Sequence, residues 1–483
     1  MPECPVDLTG RPFHFIGVGG IGMSALAYVL ARRALPISGS DAHLNGITEK
    51  LQDLGVHVFQ NQSAGNLAAW QQVPPSGRPQ VVCSTAIGAG NAEYQAAVEL
   101  GCPILHRSDV LAALTCEYES LLVAGTHGKT TTSSLLGYTL LEVGLDPTIV
   151  VGGEVTAWGG NARVGAGPHL VAEADESDGS LVKFTGSLGI ITNIELDHTN
   201  HFQDLAQVVD TFQQFAQRCQ HLVVCWDCPT IRQHFTGAIT YGLGPDAAYR
   251  ATEIHYGATG TTARIWERGV LLGTLHLQLL GEHNLRNALA VVAAGRQLGL
   301  AFADLAQAME GFTGAKRRFE RRGQAGDIDF IDDYAHHPSE IRATLNAARQ
   351  RLQTPRAHGG RVVAVFQPHR YSRTVSFFEE FAQAFTEADL VVLTDIYSAG
   401  ETNTWGITGE TLAQQVANHH PAVHYAATLG DLETRLPSLL RPGDLVLFLG
   451  AGNVNRAIPS LVRFFQEQEA SVAAPVAARV GGF

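Results

Sequence analysis

A glycine-rich turn that also carries a lysine and several threonines has the composition of a phosphate-binding loop. Its residues are Gly125, Thr126, His127, Gly128, Lys129, Thr130, Thr131 and Thr132. Glycine lets the backbone wind tightly enough for its N–H groups to face phosphate oxygens. In such a loop the lysine reaches the terminal phosphates, and the hydroxyl that follows it binds Mg²⁺. We therefore predict that Lys129 contacts the terminal phosphates of a ligand and that Thr130 places its hydroxyl on Mg²⁺.

The segments on either side of this turn have the character that a phosphate-binding loop requires. The apolar run 121–124 predicts a short buried strand, and residues 133–141 predict a helix with an apolar face. The N-terminus of that helix adds partial positive charge. Val123 stands where the general motif has its first glycine, which leaves a compact Gly-x-x-Gly-Lys-Thr. A chance turn would have neither the strand nor the helix, so phosphate binding is favoured.

Two further predicted strands end in side chains that suit a cation. Residues 169–172 lead into four closely spaced acids, Glu173, Asp175, Glu176 and Asp178. Such carboxylates repel one another unless a cation lies among them, and Mg²⁺ prefers oxygen ligands. The run 189–194 leads in the same way to Glu195, Asp197 and His198. Open parallel sheets bind ligands at the carboxyl ends of their strands, so we predict a magnesium site there. The alternative is a solvated acidic turn.

The N-terminal region carries a second glycine-rich turn. A predicted strand at 13–16 leads into Gly-x-Gly-x-x-Gly at 17–22, a helix follows, and a second strand ends near Asp41. An acid about 20 residues beyond the last glycine is typical of a dinucleotide-binding unit. The same geometry serves any diphosphate at a helix N-terminus. The turn alone therefore leaves nicotinamide cofactors and other nucleotides open.

Polar residues also end the strands predicted in the last third of the chain, at 330–331, 361–366, 390–393 and 445–449. Four of them follow one strand in close succession: His369, Arg370, Tyr371 and Arg373. Two arginines this close can clamp a carboxylate or a phosphate. The alternative is a surface salt bridge, and the neighbouring histidine and tyrosine favour the binding site.

Length and element order together predict the domain organisation. A chain of 483 residues corresponds to roughly three domains. We place them at 1–112, 113–320 and 321–467, with a flexible tail at 468–483. Each is expected to be an α/β domain with a mainly parallel sheet. The segments in 236–280 alternate apolar and polar residues and predict antiparallel strands added to the central domain.

Charge and hydropathy exclude several classes of partner. The net charge of −13 argues against a nucleic-acid-binding surface. No apolar run has the ~18 residues that a membrane span needs, and no signal peptide is evident. We therefore expect a cytoplasmic protein that binds neither nucleic acid nor membrane.

The seven cysteines are an odd number in a long chain, which fits a reducing compartment. Cys225 and Cys228 form a Cys-x-x-Cys pair. A structural zinc site would need a second pair. Because Pro229 follows Cys228, we expect no helix to open there as in a redox motif. Packing at the end of a strand is the favoured interpretation.

Together these motifs resemble those of the Mur ligase family. The resemblance covers roughly residues 11–465, and its strings lie at 17–24, 125–132, 173–178, 193–198, 281–288, 317–320, 332–338 and 367–374. They include Gly-Glu-His-Asn-Leu-Arg-Asn-Ala and Asp-Asp-Tyr-Ala-His-His-Pro as well as the phosphate loop. So many strings in one order make the match highly specific.

The resemblance implies both a fold and an activity. The fold has a Rossmann-like UDP-sugar-binding domain, a central P-loop ATPase domain with added antiparallel strands, and a C-terminal Rossmann-like domain that contacts the amino acid and ATP. The activity is ATP-dependent ligation of an amino acid to a sugar-nucleotide carboxylate through an acyl phosphate, with ATP and Mg²⁺. The branch that this chain resembles uses UDP-N-acetylmuramate and L-alanine in peptidoglycan synthesis, which serves cell-wall biogenesis, cell shape and cell division. We expect a monomer or a weak homodimer.

The resemblance also assigns roles to individual residues. The implied UDP-sugar-binding residues are Gly17, Gly19, Gly20, Gly22, Met23, Ser24, Ser40, Asp41, Ser84 and Thr85. The implied ATP-binding residues are Gly125, Thr126, His127, Gly128, Lys129, Thr130, Thr131, His283, Asn284, Asn287, Arg318 and Asp333. The implied amino-acid-binding residues are Tyr334, His336, Arg370 and Arg373. Thr130, Glu173 and His198 are the implied magnesium contacts, and the implied catalytic residues are Lys129, Glu173, His198, His336 and Arg370.

The chain departs from the family pattern in three respects. Asn200 stands two residues after the metal histidine, where the family usually has aspartate. Asn61 and Gln62 replace a Gly-His pair that often follows the second strand. No lysine lies between Lys183 and Lys316, so the carbamylated lysine of some Mur ligases is not expected.

Three other functions stay open at this point. The nearest is a recycling ligase that attaches a whole tripeptide to the same nucleotide, although its first glycine turn differs. A nicotinamide oxidoreductase with an appended ATPase domain would leave the histidines and arginines of 367–374 unexplained. A nucleotide-regulated binding protein would hydrolyse ATP slowly and ignore amino acids.

Overall fold

The computed structural model describes residues 5–352 and 360–473. In this part of the chain three β-sheets follow one another, and parallel strands predominate in each. Within these residues, no helix has both the length and the apolar character that crossing a bilayer demands.

The first sheet has five parallel strands in the order β3-β2-β1-β4-β5. Its elements are β1 (Phe13–Ile16), α1 (Ile21–Arg32), β2 (Ile37–Ser40), α2 (Gly46–Asp53), β3 (His57–Phe59), β4 (Gln80–Cys83), α3 (Ala92–Glu99) and β5 (Ile104–His106). The strand order reverses at β1, and ligands bind at such a switch point in open α/β sheets. The predicted glycine turn lies there, between β1 and α1.

The second sheet has ten strands in the order β15-β14-β13-β12-β11-β10-β6-β9-β7-β8. The elements that lead into its core are α4 (Arg107–Glu117), β6 (Glu119–Ala124), α5 (Lys129–Glu142), β7 (Thr148–Val155), β8 (Gly160–Arg163), β9 (His169–Glu173), β10 (Gly186–Ile191), α6 (Leu205–Gln217) and β11 (Cys219–Cys225). The remaining elements are α7 (Pro229–His234), β12 (Ile239–Gly242), β13 (Tyr249–Tyr256), β14 (Thr261–Glu267), β15 (Val270–Leu277), α8 (Glu282–Gln297) and α9 (Phe302–Glu310). Helices cover the central strands, which explains why the last four residues of β6 and of β10 are buried and carry no polar side chain.

The prediction of antiparallel strands in 236–280 is confirmed for β13, β14 and β15, which form a meander. It is wrong for β12, which pairs parallel with β11 and with β13. The reason is that α7 makes a crossover between β11 and β12. The meander therefore continues the main sheet, and the fully buried Tyr241 lies at the junction.

The third sheet has the order β16-β17-β21-β18-β19-β20. Its elements are β16 (Glu320–Ala325), β17 (Ile328–Asp333), α10 (Pro338–Leu352), β18 (Val362–Phe366), α11 (Tyr371–Ser376), α12 (Phe378–Ala382), β19 (Leu390–Leu393), α13 (Gly409–Ala417), β20 (Val423–Tyr425), α14 (Leu429–Leu439), β21 (Leu445–Leu449) and α15 (Ile458–Ala473). The four predicted strands are confirmed and are parallel. The edge strand β16 is antiparallel to β17, and the sequence analysis missed it.

Two local predictions are wrong. The tail was placed at 468–483, but α15 continues to Ala473, and the rest of that segment lies outside the described residues. A helix does open after Cys228, because Pro229 occupies the first helical position of α7. Proline is favoured there, since the N–H that it lacks would have no partner in the helix.

The apolar core joins the first two domains more closely than the third. One continuous cluster of buried side chains runs from Val6 to Ala315. The third sheet has separate clusters on its two faces, one around Phe366 and one around Phe448. Polar contacts therefore carry much of the attachment of the third domain, and several of them lie in the candidate site.

Candidate active site

The phosphate loop between β6 and α5 depends on two of its glycines. Gly125 has φ +136°, and a Cβ there would lie 1.9 Å from Thr192 Oγ1. Gly128 has φ +82°, and its Cβ would lie 2.8 Å from Asn287 Oδ1. Both conformations disfavour any side chain. These close approaches explain why both positions carry glycine.

Lys129 is held by backbone and by a buried acid. Its ammonium donates to the carbonyl oxygens of Gly125 (2.6 Å) and Thr126 (3.2 Å). It also lies 3.0 and 2.9 Å from the two carboxylate oxygens of Glu176, which is 1% exposed. Burial opposes the charge, but Glu176, Asp175 and other acids outweigh it and raise the pKa of Lys129 above its usual range. Lys129 is therefore a fixed cation at the loop.

Glu173 ends β9 beside the start of α5. One of its oxygens accepts a hydrogen bond from Thr130 Oγ1 at 3.1 Å, and the other accepts one from the N–H of Gly152 at 2.7 Å. Arg318, which precedes the third sheet, donates to the same hydroxyl at 3.3 Å. The structure thus brings together Thr130, Glu173 and Arg318, three residues to which the resemblance assigns contacts with ATP or Mg²⁺.

His198 follows β10 on a strained turn. Its φ is +52°, which is unfavourable for a residue with a side chain. Its N–H donates to Asp197 Oδ1 at 2.6 Å, and its Nε2 lies 3.7 Å from Glu176 Oε1. Burial lowers the pKa of His198, so the imidazole is neutral at pH 7. His198, Asp175 and Glu176 form a group whose ligand atoms lie close enough together to share a cation.

The end of β17 supplies the next group. Asp333 is buried and accepts hydrogen bonds from the N–H groups of Phe319 (2.7 Å) and Ala335 (2.8 Å). Burial raises the pKa of Asp333 to about 6. The ring of Tyr334 lies 5.0 Å from the Arg318 guanidinium, which attracts its π face.

His336 is a neutral imidazole, and its Nε2 atom has no hydrogen-bond partner among the described residues. Its Nδ1 lies 2.9 Å from the carbonyl oxygen of Tyr334 and therefore donates to it. Burial lowers the pKa of His336 to about 4, although Glu340 opposes the shift. The Nε2 atom consequently carries a lone pair at neutral pH.

The two arginines of the third domain have different partners. Arg370, at φ +70°, lies 3.3 Å from Glu401 and remains more than a third exposed. Arg373 is 6% exposed and contacts the buried Asp197 through Nε (3.1 Å) and Nη2 (2.9 and 3.3 Å). Most donors of Arg373 are thus occupied by Asp197, which leaves few for a substrate. Its role in amino-acid binding stays a prediction.

One large cavity of about 900 Å³ joins the carboxyl ends of the three sheets. Its wall includes the predicted residues Gly20, Gly22, Met23, Ser84, Thr126, Gly128, Lys129, Thr130, Glu173, His198, Arg318, Tyr334, His336, Arg370 and Arg373. Parallel strands present their ends to a common ligand. Residues from three separate sequence regions thus face a single space.

A second cavity of about 350 Å³ adjoins the phosphate loop. The predicted residues that line it are His127, Gly128, Thr131, His283, Asn284, Asn287, Arg318 and Asp333. Burial lowers the pKa of His283 to about 4, so this wall is uncharged at that point. The cavity is also lined by Cys225, Cys228 and Tyr241. Such an apolar surface suits a flat aromatic ring such as a nucleobase.

The first glycine turn and the start of α1 are ordered by hydrogen bonds from the first domain and from Asn161 of the second. Gly17 has φ +82°, and Asp41 accepts the N–H of Gly19 at 2.8 Å. The Ser40 hydroxyl is buried and donates to Glu93, so it does not face the cavity. Ser24 is also buried and accepts a hydrogen bond from Asn161 at 3.0 Å. Thr85 is exposed beyond the end of β4.

The departure at Gln62 places an amide beside this turn. Gln62 accepts a hydrogen bond from Asn91 Nδ2 at 2.7 Å. Its own amide nitrogen lies 3.8 Å from where a Cβ of Gly17 would be. Asn200 lies on an exposed turn just after the strained His198.

The sequence analysis named Glu176 and Asp197 only as members of the two acidic strand ends, without partners. The structure pairs them with Lys129 and Arg373.

Two other residues of the site were missed altogether. Glu340 had no signal in the sequence: its side chain lies 3.2 Å from His127 Nδ1 and accepts the N–H of His336 at 2.9 Å. Arg107 bridges Asp175 (3.0 Å) at the wall of the large cavity.

Comparison with known proteins accounts for this arrangement. Residues 12–119 match the Mur ligase family catalytic domain, 123–295 the Mur ligase middle domain, and 317–452 the Mur ligase glutamate ligase domain. A UDP-N-acetylmuramate–L-alanine ligase from Nostoc sp. is 59% identical, with 95% of this chain and 97% of the relative covered. The chain belongs to the Mur ligase family. A relative of the same name from Synechococcus elongatus is 57% identical to this Mur ligase over 95% of its chain and 97% of the relative.

Solved structures agree with the fold of this Mur ligase. The UDP-N-acetylmuramate–alanine ligase of Thermotoga maritima has a TM-score of 0.80 at 28% identity, with 95% of this chain and 99% of that chain covered. A murein peptide ligase from Psychrobacter arcticus has a TM-score of 0.68 at 21% identity, with the same coverage, and bears on the fold alone. The predicted α/β architecture of three domains is confirmed.

Proposed function

We propose that this Mur ligase joins L-alanine to the lactyl carboxylate of UDP-N-acetylmuramate with ATP, and releases ADP and phosphate. The observation that carries the proposal is 59% identity, over 95% of the chain, to ligases of that name. The large cavity supports it, because one space adjoins the glycine turn of the first domain, the phosphate loop and the arginines of the third.

The first half-reaction forms an acyl phosphate. The lactyl carboxylate oxygen attacks the γ-phosphorus, and the bond from that phosphorus to the ADP oxygen breaks. Lys129 would hold the phosphates as a fixed charge, and Arg318 would add a second cation beside Thr130. A preorganised charge of this kind is effective because it needs no reorientation during the reaction. The small cavity would take the adenine ring against Asn284, Asn287 and His283.

The second half-reaction forms the amide. The amine nitrogen of L-alanine attacks the acyl carbon, and the C–O bond to phosphate breaks. The ammonium must first lose a proton, and His336 Nε2 is a neutral acceptor at the cavity wall. Arg370 would hold the alanine carboxylate, because it is the more open of the two arginines. Exclusion of water by the three domains would protect the acyl phosphate.

The residues present fit a magnesium ion. Thr130 Oγ1 and Glu173 lie together at the phosphate loop, and the buried acids Asp175 and Glu176 lie beside His198. Oxygen donors predominate, which suits Mg²⁺. Thr130, Glu173 and His198 would hold the ion. When bound, it would neutralise charge on the phosphate oxygens.

A cytoplasmic site of action is part of the proposal, since ATP and nucleotide sugars are substrates of that compartment. The free thiols found in the described residues are compatible with it. The tripeptide-recycling ligase remains the second candidate, because it would use the same nucleotide and the same cavity.

The test measures phosphate release from ATP with UDP-N-acetylmuramate, with and without L-alanine, and identifies the product by mass. We expect release that needs both substrates, and a UDP-sugar amide as the product. Release with a tripeptide and not with L-alanine would assign the recycling function instead. Failure of both acceptors would reject the ligase, and NAD binding would then be measured.

A further inference from the structure

The strained turn at His198 in the second domain is held by hydrogen bonds from the third domain. Asp197 precedes His198 and Thr199 follows it, and each has a partner on helix α11 of the third domain. Asp197 binds Arg373, and Thr199 Oγ1 lies 3.1 Å from Ser376 Oγ. Arg373 and Ser376 stand three residues apart, so they share one face of α11.

The Asp197–Arg373 pair is the stronger of the two contacts. Both side chains are more than nine-tenths buried, and three N–O distances of 3.3 Å or less join them. Charge-assisted bonds from a guanidinium fork fix the orientation of a carboxylate. The same carboxylate oxygen, Asp197 Oδ1, also accepts the N–H of His198 at 2.6 Å. The guanidinium therefore fixes the group that stabilises the His198 backbone.

We infer that Asp197 and Arg373 are positioning residues, through which the docking of the third domain sets His198 at the phosphate site. The inference rests on the proposed function for the role of His198. A left-handed backbone at a residue with a side chain persists only where its surroundings hold it. When α11 contacts the second domain, both residues that flank His198, Asp197 and Thr199, are held by it. When α11 moves away, the turn loses both contacts and relaxes.

This inference separates the two arginines that the sequence treated alike. Arg370 faces the cavity beside Glu401, whereas Arg373 binds an acid of the second domain. Loss of Arg373 should therefore lower kcat, because His198 is misplaced. Loss of an arginine that binds the alanine carboxylate should instead raise the KM for L-alanine.

The test compares Asp197→Asn with a matched control, Asp444→Asn. Asp444 is 2% exposed and binds Arg361 through Nε (3.0 Å) and Nη2 (2.7 Å), but this pair lies within the third domain. Both variants lose one buried aspartate charge from an arginine pair. Only Asp197→Asn loses a link between α11 and the His198 turn.

Hydrogen exchange in the ligand-free protein supplies a readout that does not depend on turnover. We expect amides in 195–202 to exchange about tenfold or more faster in Asp197→Asn, with no change there in Asp444→Asn. In kinetics, we expect Asp197→Asn and Arg373→Gln to lower kcat by about 10- to 100-fold, the range for residues that orient a metal ligand. The KM for L-alanine should change less than about threefold. Arg373→Lys, which keeps the charge, should recover part of kcat.

Two results would overturn the inference. One is unchanged exchange in 195–202 for Asp197→Asn. The other is a rise in the KM for L-alanine in Arg373→Gln with kcat intact, which would return Arg373 to the substrate. Should Asp197→Asn fail to fold, Thr199→Val is the second variant, because it removes only the exposed hydrogen bond to Ser376. It must still speed amide exchange in 195–202. If the wild-type chain does not ligate L-alanine, the proposed function fails, and the exchange experiment still decides whether α11 holds the turn.

Discussion

At the scale of single residues, the site contains charges that are already paired within the protein. Lys129 binds Glu176, Arg370 binds Glu401 and Arg373 binds Asp197. A substrate must replace an existing partner wherever it binds one of these cations. A substitution of one of these lysine or arginine residues therefore removes an internal ion pair as well as a possible contact with the substrate.

Lys129→Ala should abolish ADP formation while binding of the UDP-sugar survives. The reason is that the phosphate loop loses its only ammonium, whereas the first glycine turn lies in another domain. ADP release and calorimetric titration with UDP-N-acetylmuramate measure the two effects. Lys183→Ala is the control, since Lys183 binds Asp109 at a partly exposed position. Retained turnover in Lys129→Ala would rule out the phosphate-loop assignment.

Arg370→Ala should raise the KM for L-alanine by about 10- to 100-fold, because hydrogen bonds to charged groups contribute about 1.5–3 kcal/mol. The KM for ATP should change much less. Initial rates with each substrate varied in turn provide the comparison. The opposite pattern would assign Arg370 to the nucleotide.

At the scale of elements, the phosphate loop offers a matched pair of glycines. Gly128 and Gly144 have φ values of +82° and +83°, but a Cβ at Gly144 would meet nothing within 4 Å. Alanine at either position should cost about 1–2 kcal/mol for its left-handed backbone. Gly128→Ala should also weaken ATP binding, since its Cβ would displace Asn287. Urea unfolding and ATP titration separate the two effects, and equal ATP affinities would contradict the steric argument.

The sequence predicted the elements that have strong local signals. Apolar runs such as those of β6 and β10 are buried on both faces. The glycine turn follows β6, and the acidic residues Glu195 and Asp197 follow β10. The three sheets and most of their site residues could be placed in this way. The short strands β3, β16 and β20 were missed, because a three-residue or polar edge strand has almost no apolar period.

Contacts between domains could not be predicted, because no local pattern encodes them. Glu340 stands on the surface side of a helical pattern, yet it binds His127 more than 200 residues away. The resemblance implied that Ser40 binds the UDP-sugar, but the Ser40 hydroxyl is buried and donates to Glu93. The direction of a side chain at the end of a strand depends on the tertiary neighbours, which spacing does not give.

At the scale of the whole molecule, the attachment of the third domain is mainly polar. His127 of the phosphate loop lies between Glu195 (3.3 Å) and Glu340 (3.2 Å), and Arg373 of α11 binds Asp197 at 2.9 Å. Burial opposes the charge of His127, but the hydrogen bonds and charges of the two carboxylates raise its pKa to about 10. The imidazolium therefore joins the second domain to α10.

This bridge should make stability depend on pH. The imidazole pKa rises from 6.5 in the unfolded chain to about 10 in the folded one, so the stabilisation is complete below pH 6.5 and disappears as pH rises toward 10. The Tm should therefore fall between pH 7 and 10 more steeply in the wild type than in Glu340→Gln. Glu379→Gln, which changes an exposed glutamate of the third domain, is the control. Parallel curves for wild type and Glu340→Gln would contradict the assignment.

Every anion that reaches Lys129 competes with a carboxylate that is already there. The free energy with which an anion binds is therefore that of its own contacts with the ammonium minus that of the Glu176 contacts it replaces. Glu176 is a strong competitor because it is part of the same chain and is held beside Lys129. A small anion with one site of contact gains little from this exchange. Under the proposed function, a triphosphate would also contact the loop backbone and place its adenine ring in the small cavity, so its extra contacts would decide the competition. The Lys129–Glu176 pair would then favour binding of ATP over binding of free phosphate, one of the products of the reaction.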